Sequence, residues 1–287
     1  MSLRADVYVS PPIPWVKPNG KEGGFWSPIS CTLVHGQNEA VLVDTPITTQ
    51  QTQKLIEWIK QRIPTKKLTT IYITHGHGDH FFGIPLIQQA FPGARAIATP
   101  DTITHMEEQL APNVFNGSWN SQFPGQIPTP QQLAEPINCD NTITLESYTL
   151  HAIEVGQADT HDSTVLWVPD LKLAICGDVV YGDVHQMLAE TSTREKRAQW
   201  IASVCKVEAL EPELVVPGHK MPHEMDGTFH LTNTRRYIED FESFLDSGIT
   251  DARELSAAMN HKYPTRFNPG ALIMSCISAC RDLGPSL

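Results

Sequence analysis

The apolar run LTTIYI at 68–73 leads straight into THGHGDH at 74–80, so three histidines and an aspartate fall within six consecutive positions. A short run rich in β-branched residues reads as a buried strand. A strand ending in His-x-His-x-Asp-His places those side chains on a loop at the carboxyl end of a sheet, where α/β proteins put their chemistry. Imidazole and carboxylate together suit zinc and other borderline divalent metals. Gly76 and Gly78, set between these residues, relieve backbone strain and let the chain wrap closely.

The remaining pattern supplies the sheets. CTLVHG and EAVLVDT, separated by QNE, predict a hairpin. Residues 48–63 carry Leu55, Ile56, Ile59 and Ile63 on one helical face, and Pro64 ends that helix. FFGIPLIQQAF begins another helical stretch and ARAIAT is a strand. TITL, YTLHAIEV, STVLWV and LKLAIC predict four more strands, followed by a helix around 194–210, the strand ELVVP at 213–217 and a mostly helical region at 228–281. Strands followed by helices, given twice, predict two sheets faced by helices on their outer sides, an α/β (α+β) arrangement in a single domain spanning 1–287. Residues 111–136 hold five prolines interleaved with Phe115, Trp119 and Phe123, which predicts an ordered loop packed on the body.

A chain of 287 residues with 40% hydrophobic and 18% charged residues can bury a sizeable globular core. A net charge of −11 without a Lys/Arg run argues against a nucleic-acid partner. No apolar stretch approaches the length of a membrane span. The N-terminus MSLRADVYVSPPIP lacks the apolar region of a secretory signal, and the six cysteines are scattered with no CxxC pair. A soluble, cytoplasmic protein with a small-molecule substrate is expected.

THGHGDHFFG resembles the signature of the metallo-β-lactamase superfamily, whose αββα sandwich binds one or two metals at one edge of its paired sheets. Further segments resemble the family in order, from about residue 30 to 220. VLVDTP carries Asp44, like the early strand-end aspartate behind the metal site. CGDVVY carries Asp178, like the aspartate that bridges two metals, and VVPGHK carries His219, like the late histidine of the second metal. The resemblance implies two divalent ions, zinc foremost, with manganese or iron as alternatives. His75 and His77 would bind the first, Asp79, His80 and His219 the second, and Asp178 would bridge. One ligand departs from the pattern. Where the family has Gly-His-Thr, this chain reads VGQADTHDSTVLWVP. Counting back from TVLWVP puts Asp159 at the histidine's place. His161, two residues later, has the right side chain and competes with it; Gln157 lies two earlier. A carboxylate oxygen binds zinc at about the same distance as an imidazole nitrogen. It would also reduce the metal's Lewis acidity and shift preference toward manganese or iron. His35, His105, His151, His185, His230 and His261 match nothing in the family and read as structural or solvated.

The resemblance implies a hydrolase in which a metal-activated water opens an ester-like or amide-like carbonyl, as in a lactone, lactam or thioester. Asp79 would orient the water and move its proton. Tyr181 stands at the offset from Asp178 at which the family's quorum-sensing lactonases hydrogen-bond their substrate. No Gly-x-Ser-x-Gly elbow competes for the role. Phe25 and Trp26 fall where the family has a mobile loop over the metals; with the aromatics of 111–136 they suggest an apolar, ring-shaped substrate. The alternatives are a non-catalytic, ligand-binding member and the family's single-iron, persulfide-oxidising branch.

Overall fold

The computed structural model describes residues 3–17 and 19–283. The chain opens with β1 (Arg4–Ser10), the hairpin β2 (Ile13–Val16) and β3 (Glu22–Trp26), and the pair β4 (Ile29–His35) and β5 (Glu39–Val43). Helix α1 (Thr49–Arg62) leads to β6 (Lys67–Tyr72), α2 (Gly78–Phe81), α3 (Ile84–Ala90), β7 (Arg95–Ala98) and α4 (Pro100–Leu110). The short turns α5 (Pro112–Val114) and α6 (Asn120–Gln122) flank a π-helical turn at Phe115–Trp119 and precede β8 (Glu135–Pro136). The second half comprises β9 (Thr142–Leu145), β10 (Tyr148–Gly156), β11 (Ser163–Val168), β12 (Leu173–Ile175), α7 (Arg194–Glu208) and β13 (Leu214–Val216). Helices α8 (Phe229–Asp246), α9 (Ala252–Lys262) and α10 (Pro269–Asp282) follow. None of the described helices is long and apolar enough to cross a membrane.

The strands form two large sheets, ordered β1-β4-β5-β6-β7-β8 and β13-β12-β11-β10-β9. Strand alternation assigns the side chains to three cores. From β5, Val41 and Val43 join Tyr72, Leu166, Val168, Ile175 and Val216 between the sheets. Ala40 and Leu42 point the other way, onto Leu55 and Ile59 of α1 and Ile84 and Ile87 of α3. On the outer face of the second sheet, Val165 and Ala174 meet Trp200 and Val204 of α7 and Tyr237 and Phe241 of α8. The result is helix, sheet, sheet, helix. Both faces of each central strand are buried, which is why these strands read as continuous apolar runs.

Helix α1 starts at a capping box in which Thr48 accepts from the Gln51 N–H, while the Gln51 side chain reaches back to the Thr48 N–H. Residues 112–122, read from sequence as loop, are largely helical turns. Trp119 and Phe123 are buried in the core beside α3 and α4, and Phe82 packs edge-on against both Phe115 and Trp119. Their apolar faces dominate over the proline content.

Glu146, in the turn between β9 and β10, joins the sheets at one end. Its carboxylate accepts the N–H groups of Gln37, Asn38 and Glu39 in the β4–β5 turn. The Asn38 and Gln37 N–H groups hold its pKa below the usual glutamate value. A depressed folded-state pKa contributes stability above the unfolded value of about 4.3 and loses it as pH falls toward the lower folded value. Glu146→Gln should therefore lower the thermal midpoint at pH 7, and the gap from wild type should close on acidification through that window. An equal gap at pH 3 and pH 7 would rule out the charge as its source.

Candidate metal centre

The strand ends at one edge of the sandwich carry the titratable residues. Asp44 follows β5 in a left-handed conformation (φ 61°), which aspartate tolerates better than most residues. Its Oδ1 accepts the Thr74 N–H at 2.9 Å, and its Oδ2 accepts the Thr74 hydroxyl at 2.8 Å and lies 3.0 Å from His80 Nδ1. The Thr74 oxygen in turn lies 3.0 Å from His75 Nδ1, and His219 Nδ1 donates to the Pro28 carbonyl at 2.7 Å. With Nδ1 engaged in all three rings, Nε2 is the nitrogen each turns to the site. His77 is arranged the other way. Its Nδ1 lies 3.0 Å from Asp159 Oδ2, while its Nε2 lies 3.3 Å from Glu190 Oε1.

All seven residues suggested as ligands converge. His75, His77 and Asp159 bring one donor atom each to within 4.8 Å of one another, as do Asp79, His80 and His219, and also His75, His80 and Asp178. His161 does not join them; its Nδ1 lies 2.6 Å from Asp162 and its ring faces His105. The donor set fits divalent cations. His75 Nε2 and Asp178 Oδ1 are buried with no hydrogen-bond partner among the described residues, although such orphans are rare. Asp178 Oδ1 comes to 3.2 Å from His80 Nε2 without hydrogen-bond geometry, as two atoms directed at a common third point would.

Buried charge dominates the electrostatics. Burial opposes protonation of His219, but Asp178 and Asp79 outweigh it and raise its pKa to about 10. His80 is raised by Asp178, Asp79 and Asp44, and His77 by Asp159 and Glu190, again against burial. Burial lifts Asp159 to about 7 despite His77. His75, desolvated and beside His80, is held well below the ordinary imidazole value. Without a cation, protons on imidazole balance the carboxylates.

Tyr181 is buried and donates its hydroxyl to Asp178 Oδ2 at 2.6 Å, and burial with Asp178 keeps that hydroxyl protonated. Of three neighbours, Trp26 was expected over the site, whereas His105, read as structural or solvated, and Glu190 gave no sign in the sequence. Trp26 donates its indole N–H to Asp79 Oδ2 at 2.8 Å and packs on Trp119 and Phe123. Phe25 alternates to the opposite face of β3 and is 54% exposed, so only Trp26 of the pair reaches the site. His105 and Glu190 flank His77, and no motif announces either. Gly76 and Gly78 are required by space rather than by strain. Neither has a positive φ, and a Cβ would sit 2.4 Å from the His105 ring at one and 2.2 Å from the Phe82 ring at the other.

The model of the metallo-beta-lactamase superfamily matches residues 24–219, a stretch that contains every residue named above as a ligand. The chain belongs to this superfamily. It is 25% identical over 222 residues to the metallo-beta-lactamase type 2 of Bacteroides fragilis, covering 77% of this chain and 79% of that enzyme. A shorter match, 37% over 71 residues, links it to ribonuclease Z of Oenococcus oeni, covering 24% of this chain and 20% of that enzyme. Its fold is similar to that of the metallo-beta-lactamase FIM-1 from Pseudomonas aeruginosa in a mono-zinc form, with a TM-score of 0.56, 19% identity, and coverage of 83% of this chain and 91% of that one. Asp159, the expected departure from the family's ligand pattern, is the carboxylate beside His77.

Cations and protons compete for the same lone pairs, so metal uptake should release protons. The imidazoles whose protonation the carboxylates favour, His77, His80 and His219, are the expected sources, with a contribution from Asp159. Metal affinity should then rise with pH. Calorimetric titration of metal-free protein with zinc in buffers of differing ionisation enthalpy measures this; a buffer-independent heat would show that these imidazoles are not protonated.

Proposed function

We propose that the chain is a metal-dependent hydrolase that opens an ester-like or amide-like carbonyl of a small molecule, a lactone, lactam or thioester. The observation that carries this reading is the pair of adjoining three-residue groups joined across Asp178. In this reading His75, His77 and Asp159 hold one divalent ion, Asp79, His80 and His219 hold a second, and Asp178 lies between. Zinc is the first choice, with manganese and iron favoured by the carboxylate of Asp159. Such ions, when bound, polarise a carbonyl oxygen and lower the pKa of water toward neutrality.

The protein groups then have separate tasks. Trp26 fixes one oxygen of Asp79, leaving the carboxylate oriented to take a proton from the attacking water. Tyr181 holds Asp178 in place: its one hydroxyl hydrogen is given to that carboxylate, so in this arrangement it positions Asp178 rather than donating to a substrate carbonyl. Trp26, Trp119 and Phe123 form an apolar wall beside Asp79, which favours a substrate with a ring or acyl chain. The matched stretch of ribonuclease Z is short, and the net charge of −11 counts against a polyanionic substrate.

A second reading has its own support. Two histidines and one carboxylate, His75, His77 and Asp159, are also the donor set of mononuclear iron oxygenases. Oxygen consumption with a persulfide substrate and a single iron per chain would favour it over hydrolysis.

The deciding experiment is a hydrolysis screen of lactones, lactams and acyl thioesters after loading with zinc or manganese, with metal content measured on the same sample. Less than one equivalent of metal and no turnover would overturn the hydrolase reading. In an active preparation, Asp79→Asn should lower kcat by about 10²–10⁴-fold with KM little changed. Trp26→Phe removes a hydrogen bond to a charged group, worth about 1.5–3 kcal/mol, and should lower kcat on the order of tenfold or more. Asp159→Ala should lose metal where His161→Ala keeps both paired ions; the reverse result would move the ligand to His161.

A further inference from the structure

We propose that His105, Glu108 and His161 form a separate site for a borderline divalent cation of the zinc class, beside the paired centre and sharing no ligand with it. His105 and Glu108 lie three residues apart on α4 and so project from one face. His161, on the loop before β11, crosses to them with its ring centroid 4.4 Å from that of His105. One nitrogen of each histidine and a carboxylate oxygen of Glu108 lie within 4.8 Å of one another, and His161 Nε2 is 3.6 Å from Glu108 Oε2. Two imidazoles and one carboxylate are a recurrent three-ligand set for zinc, with a fourth position left to solvent.

The surroundings orient these donors. The His161 Nδ1–H is taken by Asp162 at 2.6 Å, which turns Nε2 outward toward Glu108, as a carboxylate behind a metal-bound histidine does. Asp162 has a left-handed φ of 54°, and its carbonyl accepts the Thr102 hydroxyl of α4 at 3.0 Å, so the loop is fastened to the helix that carries His105. The Gln109 amide oxygen accepts the Trp119 N–H, so its nitrogen donates to His105 Nε2 at 3.2 Å; an ion held at Nε2 would take that lone pair in place of the amide. His105 is 1% exposed and its Nδ1 has no hydrogen-bond partner among the described residues. Asp159 and His161 share one short loop, so an ion at this site steadies the segment that carries Asp159.

Zinc titration of the full chain, stripped with chelator, tests the assignment by stoichiometry and affinity. Wild type should take up one equivalent more than His161→Ala or Glu108→Gln. Both side chains are about half exposed, so neither change disturbs a core. Asp162→Asn should weaken the additional equivalent about tenfold while leaving the tighter ions in place. Asp178→Ala, which removes the bridging residue of the paired centre, should still bind the additional ion; failure of the paired-centre reading is thereby separated from failure of this one. Identical stoichiometry and affinities in wild type, His161→Ala and Glu108→Gln would overturn the site and leave His161 as an ion-pair partner of Glu108 and Asp162.

Discussion

The site depends on one buried carboxylate. Asp44 is 2% exposed and takes two hydrogen bonds from Thr74 and one from His80, while its own N–H continues the sheet by donating to Tyr72 O at 2.9 Å. Desolvating a carboxylate costs several kcal/mol, and only donors held in place offset it. Those donors are the first residues beyond β6 and the middle of α2. The charge that needs them therefore also sets their geometry. Through Thr74 it directs His75, and directly it directs His80, so two ring nitrogens face the centre because one aspartate lies behind them. Its left-handed backbone is part of the same arrangement: the strand must turn sharply for the side chain to point back under the neighbouring loop.

Much of this was legible because the candidate ligands follow strand ends. His75 to His80, Asp178 and His219 each come just after a short apolar run, and such runs are conspicuous when both faces of a strand are buried. Position in the chain then stands for position in space. The residues that escaped do not share that property. His105 comes from a helix and Glu190 from a loop, and only the closed sandwich brings them to His77. The helical turns at 112–122 were hidden for a different reason. Their prolines fall at the first helical position or after the last turn, where proline costs a helix little, yet in composition they resemble a loop.

The register that selected Asp159 over His161 has an electrostatic counterpart. Asp159 Oδ2 lies against His77, and its Oδ1 accepts the Thr160 N–H at 2.7 Å, so the carboxylate is oriented from both sides. Burial nevertheless pushes its pKa to about 7. A histidine at that place could remain neutral without a cation, whereas a carboxylate must either hold a proton or face a positive charge. Three carboxylates at this centre, Asp79, Asp159 and Asp178, make the metal-free state more costly than one with two would be. The same charge would strengthen the hold on a cation. A cation held beside Asp159 would in this way couple its binding to local folding.

The aromatic cover completes the electrostatic argument. A hydrogen bond from indole to carboxylate gains strength when water is kept from it. Trp26 is flanked by Trp119 at 5.5 Å and Phe123 at 5.6 Å between ring centroids, and both partners belong to the core beneath α3 and α4. The hairpin that carries Trp26 is thus tied to the first sheet's core. A wall of this kind selects by shape, because its aromatic faces cannot turn to hydrogen-bond a polar intruder. It also lowers the local dielectric around Asp79, where His80, His219 and the indole N–H favour the charged carboxylate and, against burial, His80 and His219 hold its pKa well below the usual aspartate value.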